Sequence, residues 1–148
     1  MAELEITQAE AEALLNMKKR KVDDTRWEYP DIGGRIVIPL MGVIQRESFL
    51  LDVRKARIEL VQGTYQCRNR VVIILARLDI GGTPHVNPDG ERIQRPHLHL
   101  YRKGFADKWA FFVPNEFTNP AELWQSLQDF MVFCRVTEPP NIERGLFT

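Results

Sequence analysis

The most apolar run of the sequence, VVIILA at residues 71–76, places the strictest limit on the fold. Six such residues suit a buried β-strand, whereas a membrane-spanning helix needs about 18 or more. The longer segment Arg70–Asp79 is apolar on both faces through its middle. Since this pattern is typical of a strand with neighbours on both sides, we expect a sheet built around it and no membrane span.

Four further segments alternate between apolar and polar residues and are predicted to be strands: 34–40, 48–53, 57–68 and 96–102. The apolar phase of the third segment changes at Gly63, where we expect a bulge. Thr7 and Glu10 form a capping box that predicts a helix from Gln8 to about Lys18, with the basic run 18–21 solvated at its end. A second helix, 119–135, should begin at Asn119 and Pro120.

This element order predicts an α+β fold, with one antiparallel sheet of about five strands and the N- and C-terminal helices on one face. A chain of 148 residues suits a single domain over 1–148. Within it, residues 1–33 form the N-terminal helix and loop, 34–102 the sheet and 119–135 the C-terminal helix. The acidic N-terminus lacks the order of a signal peptide, and Cys67 and Cys134 form no CxxC motif, so we expect a cytoplasmic protein with reduced thiols.

Charge is distributed unevenly although the formal net charge is zero. Residues 54–108 carry eleven bases and five acids, whereas the two ends of the chain are acidic. A basic middle third favours an anionic ligand, RNA or another phosphate-bearing molecule, although such a patch is also common on ordinary surfaces.

All three histidines fall between residues 85 and 99. Side chains alternate along a strand, so His97, His99 and Tyr101 should share one face. If the two strands on either side of the 81–95 segment form a hairpin, Arg77 and Asp79 lie beside them. We therefore expect a polar cluster that is open to solvent on one face of the sheet.

One hypothesis for this cluster is metal-independent cleavage of a phosphodiester such as RNA. Histidine titrates near neutrality, so His97 and His99 would be acid and base, while the Arg77 guanidinium would hold the phosphate. Asp79 would orient an imidazole, and Tyr101 would assist. The predicted ligand-binding side chains around them are His85, Arg95, Arg102 and Lys108.

A second hypothesis is a metal site formed by His97 and His99 with His85, Asp79 or Asp89. The cupin-type spacing would require an acid shortly after the pair, and LYRKG follows instead. Cations beside the pair would also repel an ion, so the sequence predicts no metal and no cofactor.

The hypothesis that the sequence favours first is an interaction or accessory module without chemistry of its own. Four aromatic residues follow the fifth strand: Trp109, Phe111, Phe112 and Phe117. Such residues usually close a core, but where they are exposed they mark a homodimer or protein-partner surface.

Several blocks together resemble a family of small uncharacterised bacterial proteins. The blocks are RLDIGGTPH at 77–85, NPDG at 87–90, PHLHLYR at 96–102 and DKWA at 107–110, with RIEL at 57–60 and GLF at 145–147. The resemblance implies a bacterial, cytosolic protein, from mobile or defence-associated genes, and it transfers no activity. More distantly, the histidine-rich strand is similar to that of some small ribonuclease toxins.

Overall fold

The computed structural model describes residues 5–57, 62–120 and 122–145. Two helices are found in these ranges, α1 (Gln8–Asn16) and α2 (Leu123–Phe133). The strands are β1 (Lys19–Lys21), β2 (Arg26–Glu28), β3 (Arg35–Gly42), β4 (Ser48–Lys55), β5 (Gly63–Asn69), β6 (Ile73–Ile80), β7 (His85–Val86), β8 (Arg92–Ile93), β9 (His97–Leu100), β10 (Ala110–Phe112), β11 (Val136–Glu138) and β12 (Asn141–Glu143).

Eight of the described strands form one sheet in the order β10-β9-β6-β5-β4-β3-β1-β11. Its pairs are antiparallel except for β1 and β11, which are parallel. Two small pairs, β12 with β2 and β7 with β8, stand apart from it. The α+β prediction is confirmed, but the sheet is larger than the predicted five strands because short segments extend both of its edges.

One face of the sheet carries the core. Phe49, Leu51 and Val53 of β4 are at most 1% exposed, as are Tyr65 and Cys67 of β5. Helix α2 packs here through Leu127, Phe130, Met131 and Cys134, and Ala11 and Leu14 of α1 join the same buried cluster. The placement of both helices on one face of the sheet stays a prediction.

The two helix starts differ from each other in how well the sequence predicts them. The capping box of Thr7 and Glu10 is present in full, and α1 ends at Asn16. In contrast, α2 begins at Leu123, because the Glu122 carboxylate accepts the backbone N–H groups of Trp124 and Gln125. The predicted cap at Asn119 is wrong: the Asn119 carbonyl accepts the N–H of Glu122 instead.

Two other local predictions are corrected. Gly63 begins β5 without a bulge, and a side chain there would meet the Arg54 carbonyl and Leu123 at about 3 Å. The irregularity lies at Cys67/Arg68 instead. Residues 58–61 of the predicted third strand lie outside the described ranges. The basic run 18–21 is not a solvated helix end, because Lys19 enters β1 and is fully buried.

No helix within the described ranges is long and apolar enough to cross a membrane.

Candidate functional site

The face of the sheet opposite the core is polar along its central strands. In the pairing of β6 with β9, Arg77 lies opposite His99 and Asp79 lies opposite His97, as the alternation predicts. The next strands add Thr64 and Gln66 of β5, and Asp52 and Arg54 of β4 lie in register with them. A continuous polar surface therefore crosses four strands.

The histidines are not open to solvent. The side chains of His97 and His99 are 3% and 0% exposed, so the prediction of outward-projecting rings is wrong. His85 of the β7–β8 hairpin lies against them, with its ring centre 4.6 Å from that of His99 and 5.8 Å from that of His97. The His85 ring nitrogen Nε2 lies 2.7 Å from the Lys108 carbonyl.

Asn87 fixes this hairpin to the edge strand β10. Its side-chain amide donates to the Ala110 carbonyl at 2.9 Å, and its carbonyl oxygen accepts the Ala110 N–H at 2.8 Å. The following Pro88–Gly90 segment forms a turn, which is closed by the Gly90 N–H donating to the Asn87 carbonyl. The β7–β8 hairpin therefore covers His97 and His99.

Asp79 is the centre of the cluster. Its Oδ2 lies 3.2 Å from Nε2 of both His97 and His99, while Oδ1 lies 3.3 Å from Nε of Arg77 and accepts the Thr64 hydroxyl at 3.2 Å. Burial would raise the pKa of Asp79, but the hydrogen bonds of both histidines and the charge of Arg77 hold it well below its usual value. Asp79 is therefore a carboxylate at neutral pH.

Neither protonation state of His99 satisfies all of its neighbours. Nδ1 lies 2.8 Å from the Asp107 carbonyl, which only accepts, so Nδ1 carries a hydrogen. Nε2 lies 3.1 Å from Nη2 of Arg77, a donor, and 3.2 Å from Oδ2 of Asp79, an acceptor. A neutral ring directs its Nε2 lone pair at the carboxylate, whereas a protonated ring directs a hydrogen at the guanidinium. Each state leaves one unfavourable contact.

A cleft of about 290 Å³ opens beside this cluster. It is lined by Arg35, Asp52, Arg54, Thr64, Gln66, Arg77 and Asp79. Arg77 and Asp79 thus belong to both features, and neither histidine lines the cleft. We refer to the two as the cleft and the histidine cluster, the latter comprising Arg77, Asp79, His85, His97 and His99.

A comparison with protein-family models places the chain. The model described as a family of unknown function, DUF6978, matches residues 6–136, which includes the whole of the cleft and the histidine cluster. The chain belongs to DUF6978. No curated protein and no solved structure matches it. The expected membership of an uncharacterised family is confirmed, while bacterial origin stays a prediction.

Other predicted site residues of this DUF6978 chain lie away from the cluster. Tyr101 follows the end of β9, and its buried hydroxyl donates to the Ile6 carbonyl beside α1. The predicted shared face of Tyr101 with His97 and His99 is therefore wrong. Arg102 stacks on Trp109, with 4.3 Å between the guanidinium carbon and the ring centre. Lys108 is exposed and contributes its carbonyl.

Arg95 is a predicted ligand-binding residue that does not line the cleft. Its Nε and Nη1 are buried and have no hydrogen-bond partner among the described residues. Its Nη1 lies 3.1 Å from the position that a Cβ atom on Gly82 would occupy. The side-chain amide of Gln62 lies beside the same position.

Sequence reasoning missed the arginines at the far side of the cleft. Arg35 of β3 lies opposite Arg54 of β4 in the strand register. Arg68 of β5 binds the Asp52 carboxylate with two nitrogens, at 2.7 and 2.9 Å. The signal was available: these residues occupy the polar positions of alternating strands, the same rule that brought Arg77 and Asp79 beside His97 and His99.

The aromatic segment after β9 divides between core and surface. Phe117 is buried at 4% exposure, whereas Phe111 and Phe112 of the edge strand β10 are 42% and 68% exposed. A homodimer or partner surface formed by them stays a prediction.

Proposed function

We propose that this protein binds a small phosphate-bearing ligand in the cleft. The observation that carries the proposal is the excess of guanidinium groups over unpaired carboxylates among the lining side chains. Arginine donates planar, paired hydrogen bonds that match phosphate oxygens, which makes it the side chain best suited to this role.

Both lining carboxylates already have arginine partners. Asp52 is bound by Arg68 and also accepts the Gln66 amide at 3.0 Å, and Asp79 is paired with Arg77. Arg35 lies 3.8 Å from Asp52 with its side chain 62% exposed. Arg54 contacts no acid within the described ranges. Two guanidinium groups therefore remain without a close carboxylate partner, and they line the same cleft as Arg77.

The pattern of unpaired buried atoms supports the same conclusion. Most buried polar atoms in folded proteins have a partner, and those that do not require an explanation. Among the described residues six buried side-chain nitrogens or oxygens lack one, and four of these belong to Arg77, Arg95 and His97. Of these four atoms, only Nε of Arg77 belongs to a side chain that lines the cleft. Oδ1 of Asp79 lies 3.3 Å from it without forming a directed hydrogen bond, so a bound oxyanion would give this nitrogen an acceptor.

The dimensions and lining of the cleft define the class of ligand. Its volume of about 290 Å³ lies at the lower end of small-molecule sites. None of the lining side chains is aromatic, so the cleft offers no surface for stacking a base. The ligand is accordingly bound by its phosphate, as a phosphomonoester or diphosphate would be, and not as a strand of RNA.

Acid–base cleavage by the histidines stays a prediction. A general base must come within hydrogen-bond reach of the group that it deprotonates. Arg77 and Asp79 separate both rings from the cleft, so ligand binding is the function that this geometry supports best.

The test is calorimetric titration of the purified chain at low ionic strength with inorganic pyrophosphate and with 5′-AMP. Adenosine is the control ligand. We expect dissociation constants of about 1 mM or below for the two phosphates, weakening with salt, and no binding of adenosine.

Variants with single arginine substitutions test whether the phosphate binds in the cleft. Arg54→Gln and Arg77→Gln should each weaken pyrophosphate binding about tenfold or more, since each removes a charge-assisted contact. Arg46→Gln is the matched control, because Arg46 is exposed in the β3–β4 turn, at the opposite end of the strand pair from Arg35 and Arg54. Equal binding by all three variants, or equal binding of adenosine and 5′-AMP, would refute the proposal.

A further inference from the structure

We infer that Asp79, His97 and His99 form a binding site for a divalent transition-metal ion of the zinc class. One ligand atom from each of the three residues lies within 4.8 Å of the other two. The atoms that approach each other are Oδ2 of the carboxylate and Nε2 of each imidazole. Two imidazoles and one carboxylate are a common ligand set for zinc sites that keep a position open.

The two distances from the carboxylate to the imidazoles fit such an ion. Two ligands held about 2.0–2.1 Å from a tetrahedral ion lie about 3.3–3.4 Å apart. In the structure Oδ2 of Asp79 is 3.2 Å from Nε2 of His97 and 3.2 Å from Nε2 of His99. Two edges of the tetrahedron are therefore already formed before an ion is considered.

A metal ion also resolves the conflict at His99. Without one, the Nε2 lone pair faces a carboxylate, or the Nε2 hydrogen faces a guanidinium. An ion at the centre accepts lone pairs from Oδ2 and from both Nε2 atoms at once. The Arg77 group must then withdraw from His99 into the cleft, and its side chain is 25% exposed and lines that cleft.

The groups around the donors match the surroundings of metal ligands. A ligating histidine usually donates its other ring N–H to a carbonyl or carboxylate, which fixes the ring. His99 does this, with Nδ1 2.8 Å from the Asp107 carbonyl. The second oxygen of Asp79 is held by the Thr64 hydroxyl and by Arg77. Nδ1 of His97 lacks such a partner in the described structure, so His97 is the weaker ligand of the pair.

The three protein ligands leave the fourth position of a tetrahedral ion for water or a ligand oxygen. Asp79 is a proposed ligand and also lines the cleft, so the proposed ion lies next to the cleft. The inference itself depends only on the three donors and does not require that the cleft bind phosphate.

The experiment uses the full chain, stripped with EDTA and exchanged into chelator-free buffer, then titrated with Co²⁺ and with Zn²⁺ in competition. Tetrahedral Co²⁺ with nitrogen and oxygen ligands absorbs visibly, so binding is followed directly. We expect one ion per chain. X-ray absorption of the zinc-loaded chain should show two imidazoles and oxygen ligands, without sulfur.

Four variants assign the ligands. His99→Gln, His97→Gln and Asp79→Asn should weaken Co²⁺ binding about 100-fold or more, with the larger loss for His99 than for His97. His85→Gln is the matched control, since its Nε2 is engaged by the Lys108 carbonyl and lies outside the donor set. Circular dichroism identifies any variant that fails to fold.

Three results would overturn the inference. The first is a wild-type chain that binds neither ion, and the second is sulfur around the zinc, which would move the site to Cys67 and Cys134. The third is a folded His99→Gln variant that retains wild-type affinity. Pyrophosphate binding by EDTA-treated protein is measured separately, so failure of the metal site and failure of the cleft are distinguishable.

Discussion

Two clusters of titratable side chains lie on opposite faces of the same sheet, and they differ in how completely their polar atoms are paired. The first is the histidine cluster beside the cleft. The second, the lysine cluster, consists of Lys19, Cys67 and Cys134 beneath α2. Nζ of Lys19 donates to the carbonyls of Leu15, Met17 and Cys134 at 2.7–2.9 Å, which uses all three of its hydrogens.

The lysine cluster is complete without a ligand. Nζ of Lys19 also lies 4.7 Å from the centre of the Phe49 ring. The Cys134 thiol is hydrogen-bonded to Cys67, which lowers the pKa of Cys67, while burial raises the pKa of Cys134. The histidine cluster, by contrast, leaves Nδ1 of His97 unpaired and gives His99 two incompatible neighbours. Complete pairing indicates a structural role, whereas incomplete pairing beside a cleft indicates a ligand.

The largest expected effect is on the lysine cluster. Lys19→Met should lower the free energy of unfolding by about 3 kcal/mol, because it leaves three carbonyls without their donor in a buried site. Urea denaturation measures this loss, with Lys18→Met as the control at the exposed neighbouring position. A loss no larger than that of the control would mean that Lys19 does not organise this cluster.

Changing pH tests the same residue in the wild-type chain. Burial lowers the pKa of Lys19 in the folded chain from its usual 10.5. At pH values between this lowered pKa and 10.5, the unfolded chain therefore binds more protons than the folded one. The contribution of Lys19 to the free energy of unfolding should therefore rise with pH across this window, by at most about 1.4 kcal/mol per unit. The raised pKa values of Cys134 and Tyr65 act in the opposite direction, so this contribution is measured as a difference from a variant without Lys19.

Urea midpoints measured from pH 8 upward detect this rise. The comparison is with Lys19→Met, which keeps both thiols but should lack the rise. Parallel curves for the two proteins would contradict the expected shift.

The cover of the histidine cluster should be a local feature. Asn87→Ala leaves the Ala110 N–H and carbonyl without their partners, at a cost of about 1–2 kcal/mol. It should also free the β7–β8 hairpin, so that His97 and His99 react faster with diethylpyrocarbonate. Peptide mapping by mass spectrometry measures the modification of each ring. Asn115→Ala, at an exposed asparagine, should leave both rates unchanged.

These two clusters also mark how far the sequence determines the site. Alternation along strands was sufficient to place His97 and His99 beside Arg77 and Asp79. Side chains alternate between the two faces of a sheet every second residue, and paired strands keep this alternation in step. It could not place Tyr101, since β9 ends at Leu100 and the chain then bends toward α1. Nor could local pattern show that the 81–95 segment folds back over the strand that follows it.

Lys19 shows the same limit on the other face. In sequence, KKRK after a helix is typical of a solvated helix end. Only the parallel pairing of β1 with β11, more than 110 residues away, carries Lys19 beneath α2 and supplies the Cys134 carbonyl. Long-range contacts of this kind leave no local signal, and they decide which charged residues become buried.

The smallest expected change in stability gives the clearest test of the difference between the histidine cluster and the lysine cluster. Arg77→Met removes the partner of Asp107 and Asp79, as Lys19→Met removes the partner of three carbonyls. The Arg77 and Asp107 side chains are 25% and 26% exposed, so water replaces part of the lost interaction, and the cost should be about 1 kcal/mol or less. Its effect on pyrophosphate affinity should nevertheless match that of Arg77→Gln. Urea denaturation and calorimetry on the same preparation separate the two effects. A loss of stability as large as that of Lys19→Met, with pyrophosphate binding intact, would reverse the roles assigned to the two clusters.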